Sequence, residues 1–346
     1  ANNKLFNATS FNNISIFPAC SDAGIPLGLA LWGAHNIDDF KSPKLQKMKN
    51  AYTGKAYSEI ELINILKKFK INFKNISVKE VAKLIANQRV VGWYQGGSEY
   101  GPRALGNRSI LADSRDPKMR DYINKKIKHR EMYRPFAPAV LEEDADKFFD
   151  LKVPSPYMLL VGKVKKPKLI PAISHVDNTA RVQTVNRLQN KIYYDLIKEF
   201  KKLTGIGCLL NTSFNDAGEP IVETPLDALI TFFGTDLDEL IIGNIQILKN
   251  KLNNKNKSIF NKLKNYRSKN IDSEYKNAIK KLFYKLNSNE KKTYIVEQKN
   301  KAIYSLLKES KNFLNEQIKI LTNQNKKIIF YGTYDHTKFL FKNIKK

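Results

Sequence analysis

Short apolar segments alternate with amphipathic helical segments, and this alternation predicts an α/β or α+β fold for residues 75–248. Two segments have the composition of buried strands: Val90–Tyr94 and Cys208–Leu210. Two others, Val78–Asn87 and Ile192–Thr204, repeat their apolar residues at helical spacing. Strands and helices of this length, joined by short turns, favour one sheet covered by helices.

The elements before this region are a strand, a turn and two helices. We predict the strand at Ile14–Phe17, a turn at Pro18–Gly24 and a helix of small residues at Leu27–His35. Ser58–Phe69 has the apolar spacing of a second helix. The first residue is not methionine, so we also expect that a segment preceding the chain is missing.

Within the central region, Ser77 and Glu80 form a capping-box pattern at the start of the helix Val78–Asn87. Thr224 and Pro225 mark the start of another helix. The remaining predicted elements are a short apolar segment at Ala139–Leu141, a helical turn at Ala145–Phe149, and strands at Tyr157–Val164 and Glu239–Ile242. Ser174–Val185 is predicted to be a turn that leads into a further strand.

A glycine-rich turn follows the strand Val90–Tyr94, and residues 95–106 contain four glycines and one proline. Glycine lets the backbone approach a ligand closely and leaves amide groups accessible. Arg103 and Arg108 belong to the same turn, and guanidinium groups suit phosphate and carboxylate. The pattern fits an anion-binding loop, and it equally fits a surface hairpin with solvated arginines.

A basic segment comes next, built around a helix predicted at Pro117–His129 with Asp116 as its cap. Most of these charges are expected to be solvated. Arg134 is different, because Pro135 and Pro138 fix the backbone beside it. A rigidly placed arginine favours contact with a ligand. The basic residues of the segment are Arg115, Arg120, Lys125, Lys126, Lys128, Arg130 and Arg134.

The chain has 346 residues and a net charge of +27, which is unevenly distributed. Residues 249–346 contain 25 Lys and Arg against 7 Asp and Glu, a net charge of +18. A basic tail of this kind binds nucleic acid or an anionic membrane in some proteins. Its abundance of lysine, asparagine and isoleucine fits a solvated surface better, so we expect neither nucleic acid nor membrane as a partner.

Other features indicate a cytoplasmic protein. No run of 18 apolar residues predicts a membrane-spanning helix, and no signal peptide is visible. The chain has 2 cysteines, Cys20 and Cys208, which we expect to be buried thiols in a reducing compartment. No cluster of cysteine and histidine predicts a zinc site.

Four stretches of sequence resemble one protein family, in the right order and over about Ile14 to Ile247. They are GWYQGGSEYGPRALGNRSILADSRDP, INKKIKHREMYRPFAPAVLEED, DNTARVQTV and LLNTSFNDAGEPIVETP. The family is that of the NodU/CmcH-type carbamoyltransferases, which O-carbamoylate sugars, antibiotics and nodulation factors. The resemblance implies an ATP-dependent O-carbamoyltransferase that forms carbamoyl adenylate from carbamoyl phosphate and ATP for transfer to a hydroxyl acceptor.

The resemblance also implies a domain organisation. Residues 1–45 would be the end of an actin-like ATPase-type domain, and 46–74 a linker. Residues 75–248 would be a YrdC-like α/β domain with a twisted sheet around a nucleotide cavity. Residues 249–346 lie outside the resemblance, and we predict a basic, mostly helical extension that ends in an incomplete strand–turn–helix.

Site residues can be carried over from the family motifs. Lys128, Arg134 and Arg181 match basic contacts to phosphate and carbamoyl oxygens, and we expect them to be catalytic. Ser213 matches a contact on the nucleotide side. Arg103 and Arg108 are expected to bind substrate or to brace their loop, and Asn211 to contact the nucleotide or to fix its turn.

Asp22 matches an aspartate that binds a divalent metal, iron or magnesium, in the actin-like domain. That metal also needs histidines from an upstream half, in cis or in trans, so we expect no complete metal site in this chain. The alternative to an enzyme is a non-catalytic basic module that binds RNA or a partner chain.

Overall fold

The computed structural model describes residues 2–10, 14, 16–36, 48, 50–250, 252 and 254–268. The chain divides into two compact units, Ala1–Ser268 and Lys269–Lys346, and all described residues belong to the first. The predicted amphipathic stripe and the closing strand–turn–helix of the extension lie outside the described residues.

The described part of the chain contains one mixed sheet of 10 strands in the order β1-β10-β9-β2-β3-β8-β4-β7-β6-β5. β2 pairs in parallel with β9, and β4 with β7, whereas the other neighbours are antiparallel. The strands are β1 Phe73–Asn75, β2 Val91–Tyr94, β3 Arg108–Asp113, β4 Ala137–Leu141, β5 Phe149–Asp150, β6 Leu160–Val164, β7 Thr179–Val185, β8 Cys208–Ser213, β9 Glu239–Ile242 and β10 Ile245–Ile247.

The helices are α1 Asn2–Asn7, α2 Ile25–Asn36, α3 Glu59–Lys68, α4 Val78–Ala86, α5 Lys118–Lys126, α6 Ala145–Phe148, α7 Lys191–Thr204 and α8 Pro225–Gly234. Among them, α3, α5 and α8 cover one face of the sheet, and α4 and α7 cover the other. A further helix at residues 254–268 buries Ile259 and Leu263 in the same core as α8. The compact unit therefore continues past residue 248 to Ser268.

Two apolar cores lie on opposite faces of the sheet, because successive strand residues point to opposite sides. In β3, Ile110 belongs to the core that contains α3, α5 and α8, whereas Leu111 belongs to the core that contains α4 and α7. In β8, Leu210 and Leu209 divide in the same way. The predicted α/β class is confirmed.

Capping determines where several helices begin, as the sequence predicts. In α4, the Ser77 hydroxyl accepts the N–H of Glu80, and the Glu80 carboxylate accepts the N–H of Ser77. The predicted capping box is confirmed. Thr224 caps α8 in the same reciprocal manner through Asp227.

The predicted N-terminal strand is wrong at its described residues. Ile14, Ile16 and Phe17 belong to no strand. A strand is stabilised by hydrogen bonds to a neighbour, and no described residue pairs with these three. The following turn is a short 3₁₀ helix, Asp22–Gly24, and α2 follows it as expected.

Candidate active site

The glycine-rich turn between β2 and β3 is organised by a single carboxylate. One oxygen of Glu99, Oε1, accepts the backbone N–H groups of Leu105 at 2.7 Å, Asn107 at 2.7 Å and Arg108 at 3.1 Å. Gly106 has φ +109, and a Cβ there would lie 2.2 Å from the Tyr193 ring. Only glycine fits this close approach, so the turn takes one defined path.

Arg108 is buried inside this turn rather than presented to a ligand. Its Nη1 donates to the carbonyl oxygens of Gln95 at 2.6 Å and Gly96 at 3.1 Å, and its guanidinium lies 3.6 Å from the centre of the Tyr94 ring. Burial lowers the pKa of Arg108, and nearby Tyr94 and Glu99 oppose that change. These contacts fit the expectation that Arg108 braces its loop, although its Nε has no hydrogen-bond partner among the described residues. A role of Arg108 in binding substrate stays a prediction.

Three arginines from different parts of the chain line one open cleft with about 430 Å³ of empty volume: Arg103, Arg130 and Arg181. Arg103 comes from the glycine-rich turn, Arg130 follows α5, and Arg181 lies on β7. The other lining residues are Pro102, Ala104, Pro135, Phe136, Ala137, Met158, Asn211, Thr212 and Ser213. None of these lining residues is acidic, so the cleft is suited to an anion.

Arg181 is a half-buried cation of this cleft, and no described residue provides an acceptor for it. Its Nε is buried and has no hydrogen-bond partner, and no described residue forms an ion pair with it. Burial, together with the positive charge of Arg103, lowers the pKa of Arg181 to about 10. Both effects would be relieved by an anion bound between the two guanidinium groups.

Strand β8 supplies the polar floor of the cleft. Asn211 and Ser213 are two residues apart, so their side chains point to the same face of the sheet. Asn211 Nδ2 donates to the carbonyl of Ala104 at 3.2 Å and to Gln183 Oε1 at 2.8 Å. Ser213 Oγ donates to Asn215 Oδ1 at 2.8 Å. The floor is therefore fixed by hydrogen bonds before any ligand binds.

Lys128 is 3% exposed and lies beside the end of β8. Its Nζ donates to the carbonyl oxygens of Ser213 at 2.9 Å and Asn215 at 2.8 Å, and it also contacts both side-chain oxygens. Burial lowers the pKa of Lys128 to about 7, and the positive charge of Arg130 acts in the same direction. Lys128 was predicted to contact substrate; in this structure its donors position Ser213.

The depressed pKa of Lys128 predicts a pH-dependent stability. Between about pH 7 and about pH 10 the unfolded chain binds more protons at this lysine than the folded chain, so its contribution to stability increases as the pH rises. We therefore expect the free energy of unfolding of the wild type to rise relative to that of Lys128→Met as the pH increases across that window. Urea denaturation at several pH values measures both. A difference that does not change with pH would contradict this.

Arg134 does not line the cleft, although Pro135 next to it does. Its Nε lies 3.2 Å from Glu131 Oε2 in an exposed ion pair, and its carbonyl accepts Asn124 Nδ2 at 2.9 Å. The rigid backbone is present, but it directs the side chain to solvent. The catalytic role predicted for Arg134 has no support in this geometry.

Arg130, which the sequence did not distinguish from its basic neighbours, reaches the cleft instead. Its Nε donates to Asn124 Oδ1 at 2.8 Å, and its guanidinium lies 4.8 Å from the centre of the Phe136 ring. Arg130 lies four residues after the end of α5, and no signal in the sequence marked it.

Asp22 is exposed in its 3₁₀ helix. Among the described residues, no three His, Cys, Asp or Glu side chains cluster closely enough to bind a metal ion. One carboxylate alone does not make a transition-metal site. The assignment of Asp22 as a metal ligand stays a prediction.

Comparison with known proteins shows which family the chain belongs to. Residues 82–249 match the family model described as Carbamoyltransferase C-terminus. Nodulation protein NolNO of Sinorhizobium fredii is 44% identical over 258 residues, which cover 72% of this chain and 38% of that protein. Nodulation protein NolO of Bradyrhizobium diazoefficiens is 43% identical over 258 residues, 72% of this chain and 47% of that protein.

A protein named as an O-carbamoyltransferase is also similar. The 3'-hydroxymethylcephem-O-carbamoyltransferase of Amycolatopsis lactamdurans is 32% identical over 242 residues, 68% of this chain and 44% of that protein. The chain spans less than half the length of each of these three relatives. A solved Sua5 structure from P. abyssi aligns over 48% of this chain at 14% identity, with a TM-score of 0.32 that is too low to assign a fold.

No described helix combines the length and hydrophobicity needed to cross a lipid bilayer. The family match includes every residue that lines the three-arginine cleft, from Pro102 to Ser213. Residues 82–249 are a carbamoyltransferase C-terminal domain, and the chain belongs to the NodU/CmcH-type carbamoyltransferase family.

Proposed function

We propose that the three-arginine cleft binds phosphate-bearing substrates, and that this domain forms carbamoyl adenylate from carbamoyl phosphate and ATP within an O-carbamoyltransferase. One observation carries the proposal: Arg181 is half-buried in the cleft, and no described residue supplies an acceptor to it. A buried cation without a counter-charge is costly unless a ligand supplies one. Arg103 and Arg130 in the same cleft make that ligand an anion.

The chemistry of the proposed reaction needs positive charge more than it needs an acid or base. Water releases phosphate from carbamoyl phosphate, and an oxygen of the resulting carbamate then bonds to the α-phosphorus of ATP as pyrophosphate leaves. Negative charge accumulates on phosphate oxygens in both steps. Fixed guanidinium groups stabilise such charge without reorganising. The cleft provides three guanidinium groups, one from β7, one from the segment after α5 and one from the glycine-rich turn.

Transfer to a hydroxyl acceptor would then take place with an upstream actin-like half, in cis or in trans. Helix α2 supports this part of the proposal, because four of its large apolar residues are more than one third exposed: Ile25, Leu27, Leu29 and Leu31. An apolar helix with this exposure suits packing against another domain. The acceptor would be an alcohol of a sugar, an antibiotic or a similar molecule, and a metal near Asp22 would belong to that half.

The proposal is tested by pyrophosphate release. We expect the chain to release pyrophosphate from ATP when carbamoyl phosphate is present, and not from ATP alone. A coupled assay for inorganic pyrophosphate measures it, with carbamoyl phosphate omitted as the control. Absence of release, combined with absence of binding of either substrate by calorimetry, would refute the function.

A further inference from the structure

We propose that Asn211 selects the amino group of the carbamoyl moiety, through a hydrogen bond from the substrate N–H to Asn211 Oδ1. The inference rests on the proposed function, since it assigns a contact within the same cleft. It gives Asn211 a different role from the nucleotide contact that the sequence suggested.

The orientation of the Asn211 amide is fixed by a chain of hydrogen bonds. Gln183 Nε2 donates to the carbonyl of Leu105 at 2.7 Å, and that carbonyl can only accept. Gln183 Oε1 must therefore face Asn211, which donates to it through Nδ2 at 2.8 Å. The same Nδ2 donates to the carbonyl of Ala104, a second group that can only accept. Both neighbouring acceptors therefore require Asn211 Nδ2 to face them. Asn211 Oδ1 then lies on the opposite side of the amide.

That oxygen has no partner. Asn211 is 1% exposed, and its Oδ1 is buried without a hydrogen bond from any described residue. Asn211 lines the three-arginine cleft, so a ligand in the cleft can reach a fixed, unsatisfied acceptor. Buried polar atoms in folded proteins are almost always paired, and this one is available for a donor that the ligand brings.

The carbamoyl group carries a donor of this kind. Its NH₂ offers two N–H groups, whereas the methyl group of an acetyl phosphate offers none. In a carboxyphosphate the corresponding position is an anionic oxygen, which an amide oxygen repels. The arginines bind the phosphate of all three compounds alike, so Asn211 Oδ1 is the contact that distinguishes the carbamoyl compound from the other two.

Two stable ligands test the inference without hydrolysis. Phosphonoacetamide and acetonylphosphonate both contain a phosphonate and a carbonyl, and they differ by NH₂ against CH₃. We expect wild-type protein to bind phosphonoacetamide about tenfold more tightly in calorimetry, the effect of one hydrogen bond to a buried acceptor. In Asn211→Leu the two affinities should become equal. Asn186→Leu, the same substitution outside the cleft, should keep the tenfold ratio.

The outcomes separate this inference from the proposed function. Equal affinities for the two ligands in wild type, or an unchanged ratio in Asn211→Leu, would overturn the role of Asn211 and leave the anion site standing. Failure of both ligands and of inorganic phosphate to bind would instead refute the site itself. If Asn211→Leu does not fold, Asn211→Ala replaces it, because alanine also removes the amide oxygen, adds no acceptor and should also abolish the ratio.

Discussion

Replacing Arg108 with alanine is expected to lower the free energy of unfolding by about 3 kcal/mol or more, because buried carbonyl groups lose their donors. Arg108 is 0% exposed, and its guanidinium contacts the carbonyl oxygens of Gln95, Gly96 and Asn107. The measurement is urea denaturation followed by the fluorescence of Trp93, which is buried in the sheet.

Arg103 provides the matched control for this prediction, since it is an exposed arginine in the same turn. Arg103→Ala should change the free energy of unfolding by no more than about 0.5 kcal/mol, as is usual for exposed positions. If both variants unfolded at the same urea concentration as wild type, Arg108 would not be the residue that stabilises the turn.

Replacing Arg181 with alanine is expected to weaken binding of carbamoyl phosphate by about tenfold to a hundredfold, the loss of one charge-assisted hydrogen bond. The folded state should not suffer, because Arg181 has no partner among the described residues to lose. Calorimetry on wild type and variant gives the affinities, and urea denaturation gives the stabilities.

Arg187 is the control for Arg181. It follows β7, is exposed and lies 3.7 Å from Asp195 in an ion pair outside the cleft. Arg187→Ala should bind carbamoyl phosphate as wild type does. Equal weakening in the two variants would mean that the protein's overall charge, and not the cleft, attracts the ligand.

Much of the sheet could be predicted from the sequence, because burial on two faces imposes clear patterns. The strands at residues 90–94 and 208–210 are short apolar runs, and the caps Ser77 and Thr224 mark helix starts chemically. The predicted N-terminal strand is absent at its described residues 14, 16 and 17, because an apolar run does not reveal whether a neighbouring strand is there to pair with it.

The site could be predicted only in part. Motif resemblance brought Arg103, Arg181, Asn211 and Ser213 into consideration, and the structure brings these four to one cleft, although their roles remain predictions. The residue type did not reveal which way a side chain points. The Arg108 side chain points inward to backbone carbonyls, because hydrogen bonds to Glu99 hold the turn around it. Such choices depend on contacts between distant segments.

For the same reason, the sequence could not show which arginine near residue 130 reaches the cleft. Arg130 and Arg134 are four residues apart in one basic segment, and nothing in their types separates them. Asn124 accepts Arg130 Nε with its side-chain oxygen and donates to the carbonyl of Arg134, so one side chain is fixed in the cleft and the other is free to pair with Glu131.

A crystal structure of this chain with phosphonoacetamide would test the central claim most directly. The account predicts the phosphonate within hydrogen-bond distance of Arg181 and of Arg103 or Arg130, in the three-arginine cleft. Phosphonate bound elsewhere, with the three guanidinium groups in contact only with solvent, would contradict it.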